Sequence, residues 1–212
     1  MIETHMDRAT RIGKRSIDIA AAVTGLTLTA PLLPFIALAI KAESRGPILF
    51  RQLRVGRMLE DRTELFQMIK FRSMRQDAEV GSGAVWASKR DPRITRVGNF
   101  MRKTRLDEIP QFINVLRGEM SLIGPRPERP EFYKKLEAAI PHYSGRTFGL
   151  KPGITGLAQV SQGYDETIED VRSKVMFDHA YAAQTFRFSD WLRSDLRIVG
   201  QTLSVMALGR GR

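Results

Sequence analysis

The sequence predicts a helix-rich α+β protein. A re-entrant membrane helix–break–helix occupies residues 1–43, and one integrated unit over 44–212 holds a small β-hairpin and amphipathic interfacial helices around a cytosol-facing site. Three observations carry that reading. The stretch Ile17 to Ile40 is long and apolar but interrupted by Pro31 and Pro34. Two strand-like runs flank the polar turn Leu59-Glu60-Asp61-Arg62, and beyond Leu106 apolar residues recur at helical spacing.

At about 1.5 Å per residue, a straight helix over this apolar stretch would cross a hydrocarbon core of about 30 Å. Pro31 lacks an N–H and its ring clashes with the carbonyl of Thr27, and Pro34 does the same to Ala30, so a bend is expected at Ala30 and Pro31. Arg8, Arg11, Lys14 and Arg15 precede the stretch, and Lys41 and Arg45 follow it. The positive-inside tendency therefore draws both ends to the cytoplasmic side. A hairpin that enters and leaves one leaflet satisfies both constraints, and a kinked spanning helix is the competing reading. The apolar run exceeds a signal-peptide core of about 7–15 residues. With Asp18 as its only acidic residue, it also differs from an ordinary buried helix. The hydroxyls of Thr27 and Thr29 are close enough in sequence to satisfy freed backbone groups.

A chain of 212 residues supports this segment plus one compact domain. Cysteine is absent, which excludes disulfides, a thiolate nucleophile and a zinc–thiolate site. His5, His142 and His179 are scattered without metal-ligand spacing, so a cation such as Mg²⁺ would have to be bound through oxygen. The net charge of +11, from 34 Lys and Arg against 23 Asp and Glu, attracts nucleic acid, anionic lipid or phosphorylated substrates. No zinc finger, RNP-type aromatic run or basic heptad array is present, so membrane lipid and a polyanionic substrate, with no nucleic acid, are the expected partners.

GPILFRQLRVG and ELFQMIKFRSM read as the hairpin, and Gln76 to Asp91, rich in Gly and Ser, as a mobile loop beside the site. From Leu106, Ile109, Phe112, Ile113 and Leu116 form one helix face that Gly118 ends. GPRPERP holds three prolines in six residues and reads as an ordered turn. A helix over about 131–139 follows, then the turn KPGITG and a strand-like LAQVS. Residues 168–206 read as two helices broken near 185–189. In the second, Trp191, Leu192, Asp195, Leu196, Val199 and Leu203 form a mixed stripe beside Arg193 and Arg197, suited to a membrane interface or equally to the protein's own core.

Asp107 and Glu108 open the helix that follows Leu106. Thr104-x-x-Asp107 resembles a capping arrangement, so the pair can be read as a complement to the helix dipole. Yet Arg93, Arg96, Arg102, Lys103 and Arg105 crowd the approach, more positive charge than two carboxylates need and about what a pyrophosphate would want. In such a field a carboxylate is expected to stay ionised, and it can attack phosphorus to form an acyl phosphate. Arg126, clamped between Pro125 and Pro127, starts from a rigid backbone suited to bidentate recognition of a phosphate or a base edge.

SRGPILFRQLRVG, KFRSM, DPRITRVGNFMRKTRLDEIPQ, NVLRGEMSLIGPRPE and KPGITGLAQV, in that order, closely resemble the bacterial sugar transferase family. These are the monotopic polyprenyl-phosphate phosphoglycosyl transferases of the bacterial inner membrane, and this chain resembles their minimal form. The resemblance implies a re-entrant helix broken at Ala30 and Pro31, and an active site facing the cytoplasm. Asp107 matches the nucleophile that takes a phosphosugar from a UDP-sugar and passes it to polyprenyl phosphate, usually undecaprenyl phosphate. Glu108 completes the dyad, and Mg²⁺, held in part by Asp107, is the implied cofactor. Arg126, with its flanking Pro125 and Pro127, matches a nucleotide-side contact, Arg102 a basic neighbour, and Lys70 and Arg72 of KFRSM phosphate neighbours. Two positions depart from the pattern. Ala30 stands where serine is frequent, and Ser161-Gln162-Gly163 replaces an Asn-Gly-Arg-like element.

Overall fold

The computed structural model describes residues 6–80, 83, 85, 91–162 and 167–207. Its N-terminus is a helical rod: α1 (Arg8–Thr29), a 3₁₀ turn (Ala30–Leu32) and α2 (Leu33–Glu43). The two prolines thus convert one turn to 3₁₀ rather than opening a coil. Thr29 (φ −90°, ψ −14°) and Leu32 (φ −83°, ψ −22°) both remain in the right-handed helical region. The Thr29 hydroxyl donates to Gly25 O at 2.6 Å, a back-bond of the kind that bends helices. It takes a carbonyl other than the Thr27 carbonyl that Pro31 leaves without its helical partner.

The rod has two faces. Thr10, Lys14, Asp18 and Ala22, spaced four apart, are buried against the domain, while Ile12, Ile17, Val23, Leu28, Phe35 and Leu38 are exposed. Polar anchors hold the inner face. Lys14 Nζ donates to Tyr181 OH (2.9 Å) and Asp195 Oδ2 (3.1 Å), and Asp18 accepts from Ser121 Oγ (3.0 Å) and Leu122 N (2.9 Å). Lys14 and Arg15, expected above as flanking topology charges, therefore dock the rod. Asp18 does the same, so the only acidic residue of the apolar stretch avoids lipid.

β1 (Leu49–Met58) and β2 (Thr63–Phe71) form the antiparallel hairpin, with Leu49 opposite Phe71 and Val55 opposite Leu65. The chain then enters α3 (Arg96–Thr104), a 3₁₀ turn (Leu106–Glu108) and α4 (Gln111–Arg117). Gly118, at φ 80°, ends α4 in the left-handed conformation that glycine adopts without cost. Arg15 from the rod adds a cap there, donating to Val115 O (2.6 Å) and Leu116 O (2.8 Å). At the other end of the rod, the Glu43 carboxylate accepts from the N–H groups of Arg96 (2.6 Å) and Val97 (2.8 Å) at the start of α3. The rod is therefore tied to both helices that flank Asp107 and Glu108.

β3 (Ser121–Ile123) pairs in parallel with β4 (Gly153–Thr155), and α5 (Pro130–Ala139) lies between them in sequence. The strands meet where a Cβ on Gly124 or Gly153 would collide with the backbone of the other segment. LAQVS, expected as a strand, is the short helix α6 (Leu157–Ser161). Gly156 releases the chain from β4 before a second pairing can form, and local helical bonding takes over. α7 (Ile168–Gln184) and α8 (Phe188–Ala207) complete the fold, broken where expected. The mixed stripe of α8 divides: Trp191, Asp195 and Ile198 are buried, whereas Leu196, Val199 and Leu203 are exposed. Trp191 is a core residue, wholly enclosed, with its indole N–H donating to Asp195 Oδ2 at 2.7 Å.

Candidate active site

Asp107 and Glu108 sit in the 3₁₀ turn between α3 and α4, each 6% exposed. Arg105 leads into that turn at φ 59°, a left-handed conformation for a non-glycine residue that costs on the order of 1–2 kcal/mol. The expected capping by Thr104 is not formed. Its hydroxyl donates backwards to Phe100 O (3.0 Å) and Met101 O (3.2 Å), finishing α3. α4 starts at Gln111, so the acidic pair occupies the 3₁₀ turn ahead of it and does not cap it.

The two carboxylates have different surroundings. Glu108 meets Lys70 Nζ at 3.0 Å, Arg105 Nη1 at 3.6 Å and Arg126 Nη1 at 3.7 Å. Burial alone would raise its pKa, but Lys70, Arg126 and Arg105 overcome that and hold it down to about 2. Asp107 makes no hydrogen bond or ion pair among the described residues. Burial, and then the negative charge of Glu108, push its pKa up against the pull of Lys70, Arg102 and Arg105. The sequence reading expected the basic cluster to keep Asp107 ionised. In the fold Lys70, Arg105 and Arg126 pair with Glu108, and Arg105 is the one member of the cluster before the dyad that does so.

Lys70 reaches the dyad because Asn114 of α4 grips β2, accepting from Ile69 N (3.0 Å) and donating to Gln67 O (2.8 Å). Burial lowers the Lys70 pKa, although Glu108 opposes the effect. Arg126 projects from the GPRPERP turn with 42% of its side chain exposed, between the buried Pro125 and Pro127. The turn is held from two sides. Arg146 Nη2 donates to Arg126 O (2.9 Å) while its Nη1 meets the buried Asp178 (2.7 Å), and Arg54 Nη1 donates to Pro127 O (3.1 Å). Arg102 is near enough to lower the Asp107 pKa but pairs with neither carboxylate.

Arg72, expected beside the phosphates, is elsewhere. It is buried, donating to Arg45 O and, at 2.8 Å, to Ser44 O, so it fixes the link between α2 and β1. Arg72 lies one residue beyond the end of β2, so its side chain follows the turn toward α2 rather than the strand face that carries Lys70. Sequence reasoning left Arg146 and Arg54 unassigned, and no local pattern marks them, since their partners are 20 and 73 residues away. Arg105 had a visible signal in its position beside the dyad. Gly163 of the departing Ser161-Gln162-Gly163 element, and Gly81, Ser82 and Ser88 of the expected loop, lie outside the described residues.

A helical rod with an apolar outer face, long enough to enter a membrane, is tied to a buried dyad surrounded by cations. The sequence profile of the bacterial sugar transferase family matches residues 9–209, and the chain belongs to that family. It is 46% identical over 198 residues to a UDP-N-acetylgalactosamine-undecaprenyl-phosphate N-acetylgalactosaminephosphotransferase of Aeromonas hydrophila, covering 93% of this chain and 44% of that protein. UDP-glucose:undecaprenyl-phosphate glucose-1-phosphate transferases of Caulobacter vibrioides (44% identity, 92% and 70% covered) and Escherichia coli (40% identity, 96% and 42% covered) are similar. The chain spans less than half the length of the Aeromonas and Escherichia relatives.

Proposed function

We propose that this chain is a phosphoglycosyl transferase that moves a sugar 1-phosphate from a UDP-sugar to a polyprenyl phosphate such as undecaprenyl phosphate, releasing UMP. It would thereby initiate assembly of an exopolysaccharide, capsule, O-antigen or protein-linked glycan. The observation that carries the reading is Asp107: a buried carboxylate with no hydrogen bond among the described residues, in a field of cations whose nearest members are committed to Glu108. A carboxylate freed of hydrogen bonds and raised in pKa is the more nucleophilic of the two.

An Asp107 oxygen attacks the β-phosphorus of the UDP-sugar. The bond from that phosphorus to the bridging oxygen breaks, UMP leaves with the bridging oxygen, and an acyl phosphate carries the sugar. A phosphate oxygen of the acceptor then attacks the same phosphorus, and the Asp107 carboxylate is regenerated. Lys70 and Arg126 offset the diphosphate charge, with Arg126 on the nucleotide side, while Glu108 holds both cations in place. Among the described residues there is no cluster of three or more metal-ligating side chains. Mg²⁺ would be held by the Asp107 carboxylate together with substrate phosphates, since this cation keeps waters and seldom uses an all-protein cage. When bound there it supplies further neutralisation of the diphosphate.

The exposed apolar face of the rod supports placement at the bacterial inner membrane, and its basic flanks support a re-entrant path with the site facing the cytoplasm. Single cysteines at Glu3 and Ser44 test the path, because both should resist a membrane-impermeant thiol reagent in intact cells. Labelling of the Glu3 site alone would make the rod a spanning helix. The chemistry is tested by giving the protein UDP-sugars and Mg²⁺ without acceptor. About one UMP per site and a phosphosugar mass on the Asp107 peptide are expected. Turnover that requires both substrates together, with no labelled protein, would eliminate the covalent route.

A further inference from the structure

A groove of about 730 Å³ lies between the rod and the segment that follows the dyad. Leu26, Leu33 and Ala37 line it from the rod, and Ile109, Pro110 and Ile113 line it from the stretch beginning directly after Glu108. Leu26 precedes the 3₁₀ turn, while Leu33 and Ala37 follow it, so the groove exists only because both arms of the rod pack against the domain. The lining contains one charged residue, the exposed Arg51 of β1.

We propose that this groove receives the isoprenoid chain of the acceptor, with Arg51 available to its phosphate, an inference that rests on the transferase activity proposed above. Three features select this occupant. The lining is hydrocarbon apart from a single guanidinium, which matches a hydrocarbon chain carrying one anionic end. Ile109, in the groove wall, directly follows Glu108 in the chain, so the groove borders the turn that carries the dyad. The rod wall belongs to the same segment whose outer face is apolar and exposed, so a lipid can enter from the bilayer. The volume falls within the range of about 300–1,000 Å³ common for small-molecule sites, room for only the first few isoprene units. The rest of the chain stays in the membrane.

The bilayer interior is as apolar as the groove, so binding there adds little affinity for the chain. Its effect is orientation: it fixes the acceptor phosphate relative to the phosphosugar on Asp107, and misplacement by about 1 Å can lower a rate about a hundredfold. The groove therefore acts on the second half-reaction and not on the first.

The test uses the full chain in lipid nanodiscs. Ala37→Trp fills the groove, and discharge of its phosphosugar adduct to undecaprenyl phosphate, followed in a single turnover on protein already carrying the adduct, should fall about tenfold to a hundredfold. Arg51→Ala should slow the same discharge step by a smaller factor. A photoreactive isoprenyl phosphate should label residues 109–113 of the wild-type protein and be displaced by undecaprenyl phosphate but not by phosphatidylglycerol. Wild-type discharge in Ala37→Trp overturns the proposal, as does equal displacement by phosphatidylglycerol, which would make the groove a site for bulk lipid. If wild-type protein releases no UMP, the transferase reading fails by itself, and the photolabelling still decides what the groove binds.

Discussion

Two buried charge clusters, one at the foot of the rod and one at the dyad, are built on opposite principles. At the foot, Lys14 faces Asp195, whose two oxygens also accept from Tyr181 OH (2.8 Å) and Trp191 Nε1 (2.7 Å). One cation meets one anion, and every oxygen has a donor, as burial of charge demands. At the dyad, Lys70, Arg105 and Arg126 converge on Glu108 while Asp107, equally buried, has no donor among the described residues. Where the chain needs only to dock a helix, its charges pair off. At the dyad it gathers cations in excess on one carboxylate and leaves the other without a donor among the described residues.

Five substitutions or titrations sharpen or break that contrast. Asp107→Asn should have the largest effect on function, abolishing UMP release and the covalent adduct without lowering the melting temperature, since the lost charge was unpaired. An appreciable loss of stability would mean Asp107 is a structural anchor like Asp195. Asp195→Ala should do the reverse, costing about 3–5 kcal/mol by stranding Lys14 and the Trp191 indole, with UMP release per folded molecule retained. Thermal unfolding in detergent alongside a UMP assay reads both quantities.

Arg126→Ala removes a charge-assisted contact worth about 1.5–3 kcal/mol, so UDP-sugar dependence should weaken roughly tenfold to a hundredfold. Acceptor dependence should change less. Titration sets the two carboxylates apart most directly. Glu108, held at about 2 in the fold against an ordinary 4.5, contributes stability that is fully present above pH 4.5 and lost as pH falls through 2. Glu108→Gln should flatten the melting temperature between those limits. Asp107, shifted the opposite way, should place the acid limb of UMP release above its ordinary 3.8, and a limb at or below that value would contradict its raised pKa.

Much of this organisation was legible in the residues. The hairpin forms from the two expected strand runs, the break between α7 and α8 falls where polar residues interrupt the helical period, and the rod is apolar over the length expected. Asp107, Glu108, Lys70 and Arg126 meet at one place. Other readings failed for physical reasons. LAQVS has the composition of a strand, but a strand needs a neighbour and none is offered after Gly156. Thr104 has the spacing of a cap, but a left-handed Arg105 turns the chain before the next helix can use it. Arg72 lies two residues from Lys70, yet it ends up holding backbone carbonyls beyond α2.

Residue order alone determined the membrane-seeking segment, the interrupting prolines, the acidic pair and the excess of positive charge, because hydropathy, backbone restriction and net charge are local or additive properties. The division of labour between the two carboxylates was decided only by the tertiary structure. So was the conversion of Lys14, Arg15 and Asp18 from flanking or membrane residues into anchors. Both depend on which partners arrive from about 40 to 180 residues away. A pKa or a docking contact is set by distance and burial in three dimensions, and neither is written in the neighbouring letters.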